Sequence, residues 1–158
     1  MNKLKLFIDT SVISHLDALD APEKMQDTHR LWDEIKTGLY DILISDIVID
    51  EIICCPQPKL DKLLGYLAEI EYKRIDSNNE IEEIASQIIK LKILKEKSRD
   101  DCMHIGAAIA GKCDYLVSWN FKHMVNVKTI KGARAVTNLL GYNSIDIVQP
   151  TMLVEKGE

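Results

Sequence analysis

Leu4-Lys5-Leu6-Phe7-Ile8-Asp9-Thr10-Ser11 begins as an apolar run of strand length and breaks abruptly into polar residues. Consecutive apolar positions from Leu6 to Ile8 suit a strand buried on both faces, the kind found inside a parallel sheet. The break then leaves Asp9 at the carboxyl end of that strand. Similar short apolar runs recur at residues 41–44, 72–75, 115–118 and 145–148, giving about five strands.

Between these runs lie segments of helical period. Residues 22–36 start on Pro22, carry Met25, His29, Trp32 and Lys36 at helical spacing, and stop before Gly38. Ser45 is an N-cap for a helix through Ile53. Residues 60–70 form a further helix. Asn79 caps another that runs toward Lys95, with Ile81, Ile84, Ala85, Ile88 and Leu91 on one face. Ser98 opens a helix that Gly111 ends, and residues 128–140 form the last, stopped by Gly141. Strands alternating with helices specify an α/β fold with a central parallel sheet covered on both faces.

The 158 residues suit one domain spanning residues 1–158, with no linker, repeat or low-complexity segment. Hydrophobic residues make up 46% and charged residues 28%, which excludes a disordered chain or a coiled coil. No apolar run approaches the roughly 18 residues of a membrane span, and the N-terminal residues lack a signal-peptide pattern. A cytoplasmic protein without membrane association is expected. Cys54, Cys55, Cys102 and Cys113 include no C-x-x-C pair, so they read as small buried hydrophobes rather than as disulfides or a zinc site.

In open parallel sheets, ligands bind at the carboxyl ends of the strands. Asp9 follows the first strand, Glu51 lies on the helix leaving the second, and Asn120 follows the fourth. The helix from Ser98 runs antiparallel to the strand after it, so its N-terminus returns Asp101 to the same edge. Carboxylates gathered in one cleft repel unless a cation lies among them. Mg²⁺ takes oxygen ligands and keeps several waters, so a few carboxylates suffice. Read singly, each residue has a plainer role: Asp9 and Asn120 in turns, Glu51 on a helix surface, and Asp101 bonding back to the helix start in the capping box Ser98-Arg99-Asp100-Asp101.

At these residues the chain resembles the PIN-domain family, in particular small prokaryotic ribonucleases of the VapC toxin type. The resemblance is carried by Leu6-Phe7-Ile8-Asp9-Thr10-Ser11-Val12, Ser45-Asp46-Ile47-Val48-Ile49-Asp50-Glu51-Ile52, Asp101-Cys102-Met103-His104-Ile105-Gly106-Ala107-Ala108 and Asp114-Tyr115-Leu116-Val117-Ser118-Trp119-Asn120. It implies a PIN-like α/β/α sandwich and Mg²⁺- or Mn²⁺-dependent hydrolysis of RNA phosphodiester bonds by the toxin of a type II toxin–antitoxin pair. On this resemblance Asp9, Glu51 and Asp101 bind the metal, Asn120 ligates it or orients a metal-bound water, and Ser11 and Ser118 support the carboxylates. Asn120 departs from the Asp of many relatives. A catalytically weak or inactive PIN-fold module that binds RNA or regulates is the alternative. A phosphatase with Asp9 as nucleophile is a third reading, but that chemistry needs a second Asp where Ser11 stands.

The charge is uneven. The net is −5, yet residues 90–134 carry ten Lys/Arg against four Asp/Glu. Lys122, Lys128 and Arg134, which follow Asn120, are expected to contact RNA phosphates. Lys90, Lys92, Lys95 and Lys97 read as either a phosphate track or a solvated helix face. His104 reads as a hydrogen-bonded structural residue, and His123 as either a site residue or an exposed loop residue. Trp119 reads as a half-buried aromatic or a base-stacking platform. The resemblance implies an RNA substrate and a cognate antitoxin as partners. A homodimer is expected, and the apolar helices between Leu60 and Leu94 are its candidate face.

Overall fold

The computed structural model describes residues 3–154. The chain runs β1 (Leu4–Ile8), α1 (Thr10–Ser14), a 3-10 turn (His15–Asp17), α2 (Pro22–Lys36), β2 (Tyr40–Ser45), α3 (Asp46–Ile53), α4 (Lys59–Leu67) and β3 (Lys73–Ile75). It continues through α5 (Asn79–Lys90), a 3-10 turn (Glu96–Ser98), α6 (Arg99–Ala110), β4 (Tyr115–Val117), α7 (Val127–Leu140), β5 (Asp146–Val148) and a last 3-10 turn (Pro150–Met152). The strands form one sheet in the order β3-β2-β1-β4-β5, and every pair is parallel. Helices cover both faces, making the α/β/α sandwich expected from the alternation. Among the described residues, no helix is long and apolar enough to cross a membrane.

The central strand explains the consecutive apolar run. Leu6, Phe7 and Ile8 are fully buried, because β1 pairs on both edges and is covered on both faces. Polar side chains start the helices that leave the sheet edge. Ser45 Oγ accepts from Val48 N–H at the start of α3, and Asn126 Oδ1 accepts from Thr129 N–H at the start of α7. Glycine at φ +79° ends α7 at Gly141, as its position in the sequence suggested.

Several boundaries differ from the sequence expectation. The cap of α5 is Asn78, whose Oδ1 accepts from Ile81 N–H; either asparagine of the Asn78-Asn79 pair carried that signal. Helix α5 stops at Lys90 instead of running toward Lys95. Lys92 turns the chain at φ +60°, and Ile93 N–H bonds back to Ile88 C=O at 3.1 Å. This is a left-handed helix stop built without glycine. The short helix α1 was not anticipated. The apolar positions between Leu60 and Leu94 mostly serve the protomer's own core, where Leu63, Leu67, Ile81, Ile84 and Ile88 are buried; Leu64 and Leu91 stay exposed. Cys102 and Cys113 are buried, and burial pushes both thiols up to about 12. Cys54 is exposed, contrary to expectation.

The turn at Lys92 drives Ile93 into the core against α7. A Cβ placed on Gly132 would lie 2.6 Å from Ile93 Cγ2, so only glycine lets the two elements meet. Gly132→Ala is expected to cost about 1–3 kcal/mol through overpacking. Thermal denaturation checks this; an unchanged midpoint would contradict the close contact.

Candidate functional site

The strand order places the site. From β1 the chain goes to β2 and β3 on one side, then crosses to β4 on the other. The carboxyl ends of β1 and β4 therefore flank the topological switch point. Asp9 leaves β1 there and Asn120 follows β4, while α3 carries Glu51 and the first turn of α6 carries Asp101.

Asp9 is 3% exposed and caps α1. Its Oδ1 accepts from Ser11 Oγ at 2.6 Å and from Val12 N–H at 3.1 Å. Ser11 Oγ also accepts from Trp119 N–H at 2.9 Å and lies 3.3 Å from Ser118 Oγ. Ser11 has one hydroxyl proton and directs it to Asp9, so Ser118 is the donor between the two hydroxyls. Ser118 Oγ in turn accepts from Asn120 N–H at 2.9 Å. The two serines thus tie the exit of β4 to the start of α1, with Asp9 between them.

Glu51 is held from two elements. Thr10 Oγ1 of α1 donates to Glu51 Oε1 at 2.9 Å, and His104 of α6 meets the same oxygen through Nε2, also at 2.9 Å. An ionised carboxylate only accepts, so His104 carries its proton on Nε2. His104 Nδ1 has no hydrogen-bond partner among the described residues. His123 Nδ1 donates to Asp101 Oδ2 at 2.9 Å by the same reasoning.

The charges of these groups act on one another. Burial pushes His104 toward the neutral form, but the Glu51 bond and the charges of Asp9, Glu51 and Asp101 outweigh it and raise its pKa. One imidazole thus feels all three carboxylates. Burial likewise raises Glu51, but its bonds to His104 and Thr10 hold it below the ordinary value. Asp9 is raised, because burial outweighs the help it receives from Ser11, Ser118, His104 and Val12.

Asn120 is engaged in a turn. Its Oδ1 accepts from His123 N–H at 3.0 Å, and its carbonyl accepts from the Met124 and Val125 amides. That turn presents His123 to Asp101. The capping box at Ser98 does not form: Ser98 makes no side-chain cap, and the bonded partner of Asp101 is His123. Lys122 and Lys128 line a groove beside His123. Arg134 is not brought to this edge, because it pairs with Asp146 at the opposite, amino end of β5. Trp119 is buried and donates through Nε1 to Thr28 Oγ1 at 2.8 Å, so it serves the core rather than presenting a face.

Thr10 and His104 are the residues that sequence reasoning left outside the site, and His123 is one whose role it left open. Asp101 and His104 stand three apart on one helix and so share a face, the one signal that pointed to His104. The oxygen donors suit a hard divalent cation that keeps its waters. As they stand among the described residues, however, no three of His, Cys, Asp and Glu group closely enough to hold an ion. The arrangement therefore fits a cation that keeps several of its waters, through which the more distant carboxylates reach it.

Comparisons with known proteins bear on the family and the fold. A family model described as the PIN domain matches residues 5–122. Among solved structures, a chain of the crystal structure of VapBC2 from Rickettsia felis bound to a DNA fragment from their promoter superposes with a TM-score of 0.59. The match covers 92% of this chain and 98% of that one at 14% identity, a likeness of fold. No curated protein matches the sequence.

The burial of Asp9 has a measurable consequence. A carboxyl whose pKa is raised on folding holds its proton more tightly in the folded state, so stability is lost as pH rises through the titration. At neutral pH without divalent ions, Asp9→Asn removes that opposing charge and keeps an oxygen for Val12 and Ser11. Its melting temperature in EDTA is expected to exceed the native one, and Mg²⁺ is expected to narrow the gap by stabilising the native protein. A lower melting temperature for Asp9→Asn in EDTA would contradict this electrostatic account.

Proposed function

The chain belongs to the PIN-domain family, and on that premise we propose that it is a metal-dependent endoribonuclease that acts in the cytoplasm as the toxin of a type II toxin–antitoxin pair. The placing of Asp9, Glu51 and Asp101 at the switch-point edge, with His104 bonded to Glu51 at 2.9 Å, is the observation that carries this reading. The likeness of fold to a chain of the VapBC2 complex supports a protein antitoxin as partner. A homodimer is part of the proposal, with the exposed Ile53 on α3 and Leu64 on α4 as apolar surface.

Asp9, Glu51 and Asp101 would hold Mg²⁺ or Mn²⁺. When bound, such an ion supplies charge stabilisation at a phosphoryl oxygen and a water of lowered pKa. The chain's own residues provide the positioning. Ser11 and the Val12 amide fix Asp9, Thr10 and His104 fix Glu51, and His123 fixes Asp101. Such partners hold the carboxylates in place before substrate arrives. Asn120 acts through the turn that sets His123, while Ser118 supports Ser11. Lys122 and Lys128 lie where an RNA backbone would approach.

The second reading, a PIN-fold module with weak or no catalysis, draws on the commitment of Asn120 to its turn. Incubating mixed-sequence single-stranded RNA with Mg²⁺ or Mn²⁺ separates the two. Cleavage by the native chain is expected, falling more than ~100-fold in both Asp9→Asn and Asp101→Asn, beyond the cost of losing an outer partner of a metal ligand. RNA left intact, with no heat of metal binding, would favour the module.

A further inference from the structure

The turn after β4 sends two side chains to different neighbours. His123 meets Asp101 of α6, and Phe121 meets Lys24 in the first turn of α2. The two phenylalanines of the chain differ: Phe7 is fully buried, whereas Phe121 is 42% exposed. Lys24 Nζ lies 4.9 Å from the centre of the Phe121 ring and 5.7 Å from that of Trp119. Trp119 meets Phe121 edge-on at 6.2 Å and is backed by the His15 ring at 5.8 Å. Lys24 is half-buried and pairs with no acid among the described residues, although the chain has 25 Asp/Glu against 20 Lys/Arg. Its charge rests on aromatic rings instead.

Hydrogen bonds fix this cluster and join it to the site. Trp119 Nε1 donates to Thr28 Oγ1 at 2.8 Å, and that hydroxyl donates to the Lys24 carbonyl at 2.6 Å. Asn126 Nδ2 donates to the carbonyls of Phe121 and Lys122. Trp119 N–H donates to Ser11 Oγ, the hydroxyl that holds Asp9. The ring is thus presented from a set backbone, one residue past Asn120. A cation over one face of a ring draws on its electron cloud, which suits the opposite face to an electron-rich partner.

We propose that Phe121, backed by Lys24, is the specificity-determining residue of the site: it stacks on one unpaired base of the RNA and sets a preference for a purine near the bond to be cut. The proposal rests on the nuclease reading and adds what that reading leaves open, the base selected. Stacking on an aromatic ring tolerates every base, but its strength grows with the size of the stacked surface, so a purine gains over a pyrimidine. Only a single strand can turn a base out onto such a ring. An acidic peptide could reach Lys24, but it would leave the face of Phe121 uncovered.

The test uses the fluorescent purine 2-aminopurine, which is quenched when it stacks. It is placed singly along a short oligouridine, and each oligomer is titrated with the full chain in EDTA, so that no cleavage intervenes. Quenching is expected at one position, with affinity about tenfold above that of the plain oligouridine. Phe121→Leu keeps an apolar side chain and is expected to abolish both the quenching and the tenfold gain, with a melting temperature near the native one. Phe121→Trp is expected to retain both, because it keeps an aromatic face. Lys24→Met is expected to reduce the gain for purine without abolishing it. Equal quenching in the native chain and Phe121→Leu, equal affinity for the two oligomers, or no binding of either would each overturn the proposal. Quenching that depends on Phe121, without metal-dependent cleavage of any RNA, would leave the stacking residue standing and remove the nuclease reading. Cleavage with the same base preference in the native chain and Phe121→Leu would keep the nuclease reading and remove this proposal alone.

Discussion

His104 is the buried imidazole on which the site turns: it bonds Glu51, and the charges of Asp9, Glu51 and Asp101 all act on it. Carboxylates brought to one sheet edge would spread apart or take up protons without a positive partner. The imidazole answers this from inside the core: it bonds Glu51 directly and lowers the cost of ionising Asp9. It can do so only because α6 runs back along the sheet, and because β1 and β4 are neighbours although far apart in sequence. The parallel topology, the close seating of α6 and the small side chains beside His104 all serve that placement. Gly106 is an example, since a Cβ there would lie 2.8 Å from the Ile81 carbonyl of α5.

Around this core the supporting bonds are short-range devices with long-range effect. Ser11 joins Asp9 to the backbone of Trp119. Asn120 folds the next residues so that His123 meets Asp101. The same turn sends Lys122 toward the lysines that follow α5. The left-handed stop at Lys92 has a double effect, pressing Ile93 onto Gly132 and leaving the lysines on a connection instead of on a helix face. Site and groove therefore share their walls.

Much of this was readable before any coordinates, and the reason is locality. The buried run at Leu6, Phe7 and Ile8, the Ser45 cap, the helix from Pro22 to Lys36 and the stop at Gly141 are each encoded within a few residues. Asp9, Glu51, Asp101 and Asn120 were singled out because strand ends in a parallel sheet share one edge, and the family resemblance marked the same positions. What stayed hidden depended on partners far along the chain. Thr10 and Glu51 are 41 positions apart, and Arg134 on α7 is claimed by Asp146 at the start of β5. The end of α5 was missed because a lysine stands where glycine would have announced it. His123 was ambiguous because its role depends on the turn made by Asn120.

The central claim is that the three carboxylates around His104 form one cation site. Mn²⁺ broadens nearby nuclear resonances, and the chain has four histidines as reporters: His15, His29, His104 and His123. Titrating Mn²⁺ into the native protein while recording the imidazole signals tests the claim most directly. The account predicts that His104 and His123 broaden first, below stoichiometric metal, while His29 stays sharp. Uniform broadening of all four, or broadening that spares His104 and His123, would contradict it.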